Sequence, residues 1–86
     1  MKVMVVYRSV GEHARAVEDF LHDFKARTSK DITLVDPDSR DGINICQLYD
    51  IVEYPSILAL SNDGKLRQLW QGLPLPLVGE VSFYAQ

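Results

Sequence analysis

The chain has 86 residues, 47% of them hydrophobic and 24% charged, a balance that fits one packed core and excludes both a disordered segment and a second core. Its formal net charge is −3, and its nine Lys and Arg residues are scattered from Lys2 to Arg67 without forming a stripe. Nucleic acid and anionic membrane are therefore not expected as partners, since both need clustered cations.

The opening MKVMVVYRS has too short an apolar part for a signal peptide and lacks a small-residue cleavage site. No apolar run approaches the roughly 20 residues of a membrane span. Cys46 is the single cysteine, so no intramolecular disulfide is possible, and one Cys with two separated His residues makes no metal site. The expected location is cytoplasmic, with no metal or other cofactor.

In chain order, KVMVVYR is a β-favouring run of the kind that is covered on both faces. From Glu12 the period changes: Ala14, Val17, Phe20, Leu21 and Phe24 fall on one helical face, with Ser9 or Gly11 as the start. Glu12, Glu18, Asp19 and Asp23 face mostly outward, Lys25 and Arg27 complement the helix dipole, and TSKD ends the helix. ITLVD is a second short strand, stopped by the turn-rich PDSRDG. INICQLYDI reads as a short helix whose inward set is Ile45, Leu48, Tyr49 and Val52, or Cys46 and Tyr49.

PSILALS is a third strand, and NDG turns it back into KLRQLWQ as an antiparallel hairpin that ends at Gly72. LPLPLVGEVSFYAQ closes as a helix with Leu77, Val78, Val81, Tyr84 and Ala85 on one face and Pro74 or Pro76 in its first turn. Trp70 is expected to pack under this helix, and Leu73 or Leu75 to be exposed. The order is βαβαββα. Two β-α-β crossovers predict parallel pairing and the last hairpin antiparallel pairing, with helices on both faces. The expected fold is thus α/β, a single domain over residues 1–86 with a four-stranded mixed sheet flanked by three helices.

This order is the minimal thioredoxin arrangement, and YDIVEYPSILALSNDGKLRQLWQG resembles the C-terminal half of thioredoxins. Tyr49, Ile51, Pro55, Ser56, Gly64 and Gly72 carry the match, and the whole chain is similar to the shortened, glutaredoxin-like form of that superfamily. Such proteins exchange thiols through Cys-x-x-Cys at the start of the first long helix, where the dipole favours a thiolate. Helix periodicity places Gly11, Glu12, His13 and Ala14 in those positions, within a loop that also holds Ser9 and Val10. A shift of one residue would bury Glu18, and neither register supplies a sulfur. Exchange needs an attacking thiolate, so the dithiol mechanism is excluded.

The resemblance implies a cis peptide bond before Pro55, facing the active-site loop. The main chain of Tyr54, with Pro55 and Ser56, would then pair with an extended peptide as an added strand, and this needs no cysteine. A proline there also serves as a turn device with no ligand at all. Cys46 is read first as a small buried apolar residue three before Tyr49, and second as a lone reactive thiol. Adjacent residues such as Glu12 and His13 point apart on a helix, and no nucleophile accompanies them, so catalysis there is not favoured. Free N–H groups near Ser9 and Gly11 would hold an anion only weakly beside Glu12.

The preferred function is a redox-inactive module that binds a protein or peptide segment, as a monomer or weak homodimer. The alternative is a one-cysteine thiol oxidoreductase or redox sensor using Cys46. An enzyme built on Glu12, His13 and Arg15 stands third.

Overall fold

The computed structural model describes residues 2–85; Met1 and Gln86, the two ends of the expected domain, lie outside the described residues. β1 (Lys2–Val6) is buried from Val3 onward and alternates between two cores. Val3 and Val5 join one side, Met4 and Val6 the other. α1 (Ala14–Thr28) covers the first side with Ala14, Val17, Phe20 and Phe24, and Leu21 packs partly beneath it. It stops at Ser29, whose left-handed backbone lets its N–H donate to the Lys25 carbonyl. The helix begins after Glu12 rather than at it, with His13 in the capping position and no acidic residue in the first turn.

β2 (Thr33–Val35) follows, then α2 (Arg40–Leu48). α2 starts inside the segment expected to be a turn, because Ser39 caps it: its hydroxyl accepts from the Gly42 N–H at 3.0 Å. Gly42 is buried so tightly that a Cβ would lie 1.8 Å from the Asp36 carbonyl oxygen. The expected inward set is corrected at two positions. Leu48 and Val52 are 73% and 72% exposed, because the helix ends at Leu48 and Asp50 turns left-handed, taking Val52 off the helical face. Ile45, Cys46 and Tyr49 are the residues that pack against the sheet.

β3 (Ser56–Leu60) is buried along its whole length, and β4 (Leu66–Gln71) returns beside it through the Asn62–Gly64 turn, where Gly64 takes a φ of +85°. α3 (Val78–Tyr84) lies on the α1 side, burying Val81 and setting Tyr84 edge-on to Trp70 at 5.7 Å between ring centroids. Pro74 and Pro76 precede this helix rather than opening it, and Leu77 is its exposed capping residue, not part of its inward face. Leu73 is exposed while Leu75 is partly covered.

The sheet order is β2-β1-β3-β4. β1 and β2 are parallel, as one crossover requires, and β3 and β4 form the antiparallel hairpin. The second expected crossover is different: β3 runs antiparallel to β1, with Ser56 opposite Val6. β2 ends with Val35 opposite Val6, and β3 begins with Ser56 opposite the same Val6, so the connection through α2 returns the chain to the end of the sheet that it left. That places the entry to β3 beside the exit of β1. No helix among the described residues is long and apolar enough to cross a membrane.

Candidate functional site

The exit of β1 and the entry of β3 form the two walls of a cleft. After Val6, the Tyr7 N–H donates to the Val35 carbonyl at 3.1 Å, and the chain then leaves the sheet. The Gly11 N–H donates to the Arg8 carbonyl and the Ala14 N–H to the Gly11 carbonyl, two turns that bring the loop round into α1. Gly11 suits this bend, since a Cβ would sit 3.2 Å from the Arg8 carbonyl oxygen. On the opposite wall the Tyr54–Pro55 peptide bond is cis, and both Pro55 and Ser56 are fully buried. The Ser56 hydroxyl donates to the Glu53 carbonyl, which satisfies it beneath the surface.

The cleft between these walls has a volume of about 190 Å³. Gly11, Glu12, His13 and Ala14 line one side and Tyr54 and Pro55 the other, with Tyr7 and Arg8 completing it. Of the residues singled out from the sequence, these six are brought together. Ser9 and Val10 lie outside the lining, Val10 being 95% exposed, and Ser56 lies under it. Cys46 is not part of the cleft. It is half-buried against the α2 side of the core rather than fully enclosed.

Tyr54 touches two groups, one through its hydroxyl and one through its ring. Its hydroxyl donates to the Cys46 Sγ at 3.7 Å, and the Arg8 guanidinium carbon lies 4.8 Å from its ring centroid. The hydrogen bond to Cys46, then partial burial, raises the phenol pKa, because both favour the protonated form. Arg8 is itself held by Asp38 in a two-pronged contact, Nε to Oδ2 at 2.9 Å and Nη2 to Oδ1 at 3.2 Å. That contact lowers the Asp38 pKa and raises that of Arg8. Both side chains are exposed, so the pair positions Arg8 more than it stabilises the fold.

Glu12 and His13 meet, contrary to the helical expectation that they point apart: Glu12 Oε1 is 3.6 Å from His13 Nε2. The reason is that both residues precede α1 and are free of its 100° spacing. No nucleophile stands beside them in the cleft lining. Among the described residues no group of three or more His, Cys, Asp or Glu side chains is placed to hold a metal ion. Sequence reasoning missed Tyr7, Arg8 and Asp38 as parts of the site. The first two directly follow a strand that enters it, which is a usable signal. The Arg8–Asp38 pair is 30 residues apart and has none.

No family model matches the chain, and no curated protein sequence matches it. Among solved structures it is similar to thioredoxin 1 from the thermophilic eubacterium Thermosipho africanus TCF52B. The TM-score is 0.66 at 12% sequence identity, covering 99% of this chain and 90% of that one. The chain has a thioredoxin-like fold, as the stretch from Tyr49 to Gly72 implies.

Proposed function

We propose that this chain is a thioredoxin-like module without dithiol chemistry that binds an extended protein or peptide segment across the cleft at Tyr54 and Pro55. The observation that carries this is the pairing of an open cleft with an absent sulfur. Gly11 and Ala14 stand in its wall where the resemblance puts cysteines, while the one thiol lies outside it under the Tyr54 hydroxyl. Thiol exchange needs a thiolate at the cleft. Strand-like pairing with the main chain of Tyr54 needs none.

Two further features support a peptide. Among the described residues no main-chain hydrogen bond takes up the N–H or C=O of Tyr54, which leaves both for a partner. The cleft, at about 190 Å³, is smaller than the roughly 300–1,000 Å³ of sites that enclose a small molecule. It suits one side chain of a segment laid across it, between the rings of Tyr7 and Tyr54 and the polar groups of Arg8, Glu12 and His13. The module belongs in the cytoplasm on this proposal, where a single thiol stays reduced.

Panning a displayed library of random peptides against the folded chain tests this, with insulin reduction measured in parallel. Enrichment of binding peptides and no catalysed reduction are expected. Catalytic reduction of insulin, or no enriched binder, would overturn the proposal. A one-cysteine redox role for Cys46 requires rapid alkylation of the native thiol at neutral pH; slow labelling that accelerates only in denaturant is expected instead.

A further inference from the structure

The two edges of the sheet are not alike. β4 carries the exposed Arg67 and Gln68, and its pairing with β3 shifts register between Ala59 and Leu60, two devices that discourage a further strand. β2, at the other edge, carries neither. Its three residues, Thr33, Leu34 and Val35, are uncharged and include two β-branched side chains.

The main chain of β2 is oriented for a neighbour. Val35 accepts from Tyr7 of the β1 side, so by the alternation of a parallel ladder the N–H and C=O of Leu34 point away from the sheet. Leu34 is 55% exposed although the residue paired with it in register, Val5, is fully buried.

The charges flanking β2 select the occupant. Lys2 lies at its entry, where Asp31 is neutralised by Lys25 at 3.0 Å and the Lys30 amine donates to the Ala85 carbonyl at 2.8 Å. Asp36 and Asp41 lie at its exit, bordering with Lys2 a groove of about 480 Å³ beside the strand. One end is basic and the other acidic. A second copy of the same strand, turned antiparallel, sets each basic end against an acidic one, whereas a parallel copy would set like on like.

We propose that the edge of β2 joins two copies of this chain, pairing antiparallel about a two-fold axis at Leu34 so that the sheet continues from one copy into the other. On that axis Leu34 faces Leu34 of the partner subunit, and the pair exchanges both main-chain hydrogen bonds. A three-residue strand gives a small interface, so the association is weak and concentration-dependent.

Sedimentation equilibrium of the full chain from about 10 µM to about 1 mM tests this directly. The unaltered chain should dimerise within that range. Leu34→Lys and Leu34→Glu each set like charges opposite one another on the axis and should weaken the dimer by about tenfold or more. An equimolar mixture of the two variants should regain association, because the opposed charges then attract. On the unaltered chain, amide exchange at Leu34 should slow as concentration rises, a readout that no substitution can disturb. A chain monomeric to about 1 mM overturns the proposal. So do a dimer indifferent to both substitutions, a mixture no better than either variant alone, and Leu34 exchange that ignores concentration.

Discussion

Truncating Tyr54 in two steps separates the cleft from the scaffold that holds it. Tyr54→Phe removes only the hydroxyl, which donates to the Cys46 sulfur at 3.7 Å. Sulfur is a weak acceptor and the bond is long, so the expected loss of stability is at most about 0.5 kcal/mol. Tyr54→Ala removes the ring that packs partly against the α2 side of the core and lies beneath Arg8. An aromatic side chain buries about 150–250 Å² when enclosed, so a half-buried ring forfeits about 100 Å², or roughly 2.5 kcal/mol at 25 cal/mol per Å². That is below the full cost of emptying a core aromatic site and within what a domain of this size tolerates.

Urea unfolding reads the stability, and fluorescence anisotropy reads the affinity for a labelled peptide recovered by panning. Tyr54→Phe should bind within about twofold of the unaltered chain, whereas Tyr54→Ala should lose about tenfold or more, since a central aromatic contact is removed. Cys46 should also alkylate faster in Tyr54→Ala, where nothing covers its sulfur from that side. A folded Tyr54→Ala variant that binds the peptide as before would refute the placement of the ligand. Equal damage in both variants would show that the hydroxyl–sulfur contact matters rather than the ring.

Three other substitutions test the packing of the scaffold and the ion pair beside the cleft. Gly42→Ala drives a Cβ to 1.8 Å from the Asp36 carbonyl, and the shift this forces at the start of α2 should cost about 2–3 kcal/mol in urea unfolding; an unchanged midpoint contradicts the packing described. Val81→Ala empties a fully buried site where α3 meets the α1 side of the core, with an expected loss of about 2 kcal/mol by the same measurement. The Arg8 hydrogen bond lowers the folded-state pKa of Asp38 below its unfolded value, so its stabilisation is complete above about pH 4 and is lost as pH falls through the folded value. Asp38→Asn should flatten that part of the acid limb when urea midpoints are compared between about pH 2 and pH 7, leaving the share due to Asp63, which Ser61 holds down in the same way; parallel curves would contradict it.

Much of this architecture is legible in the sequence because its signals are local. The apolar run of β1, the helical spacing from Ala14 to Phe24 and the turn at Asn62–Gly64 each identify an element without reference to the rest. What stays hidden depends on distance or on length. The segment PDSRDG reads as a turn because its residues favour turns, yet Ser39 within it is also the cap of α2. The antiparallel direction of β3 depends on which end of the sheet the α2 connection returns to, which no residue pattern states. Leu48, Val52 and Leu77 suit an inward face by type, and only the ends of their helices leave them outside.

The site follows the same division. Gly11 to Ala14 and Tyr54 with Pro55 are singled out through the resemblance, and the fold brings them to one cleft. Arg8 can be suspected from its place just after β1, but its pairing with Asp38, in the loop before α2, shows only in the folded chain. The contact between Glu12 and His13 depends on the helix starting at Ala14, a boundary that periodicity places two residues too early.

Amide chemical-shift mapping of the folded chain with a peptide recovered by panning asks most directly whether the groove outlived the chemistry. Shifts should concentrate at Gly11, Ala14, Tyr54 and Ser56, and the Tyr54 amide should become protected from exchange. Shifts confined to β2 or α3, with the amides of Gly11 and Tyr54 unmoved at saturation, would contradict it.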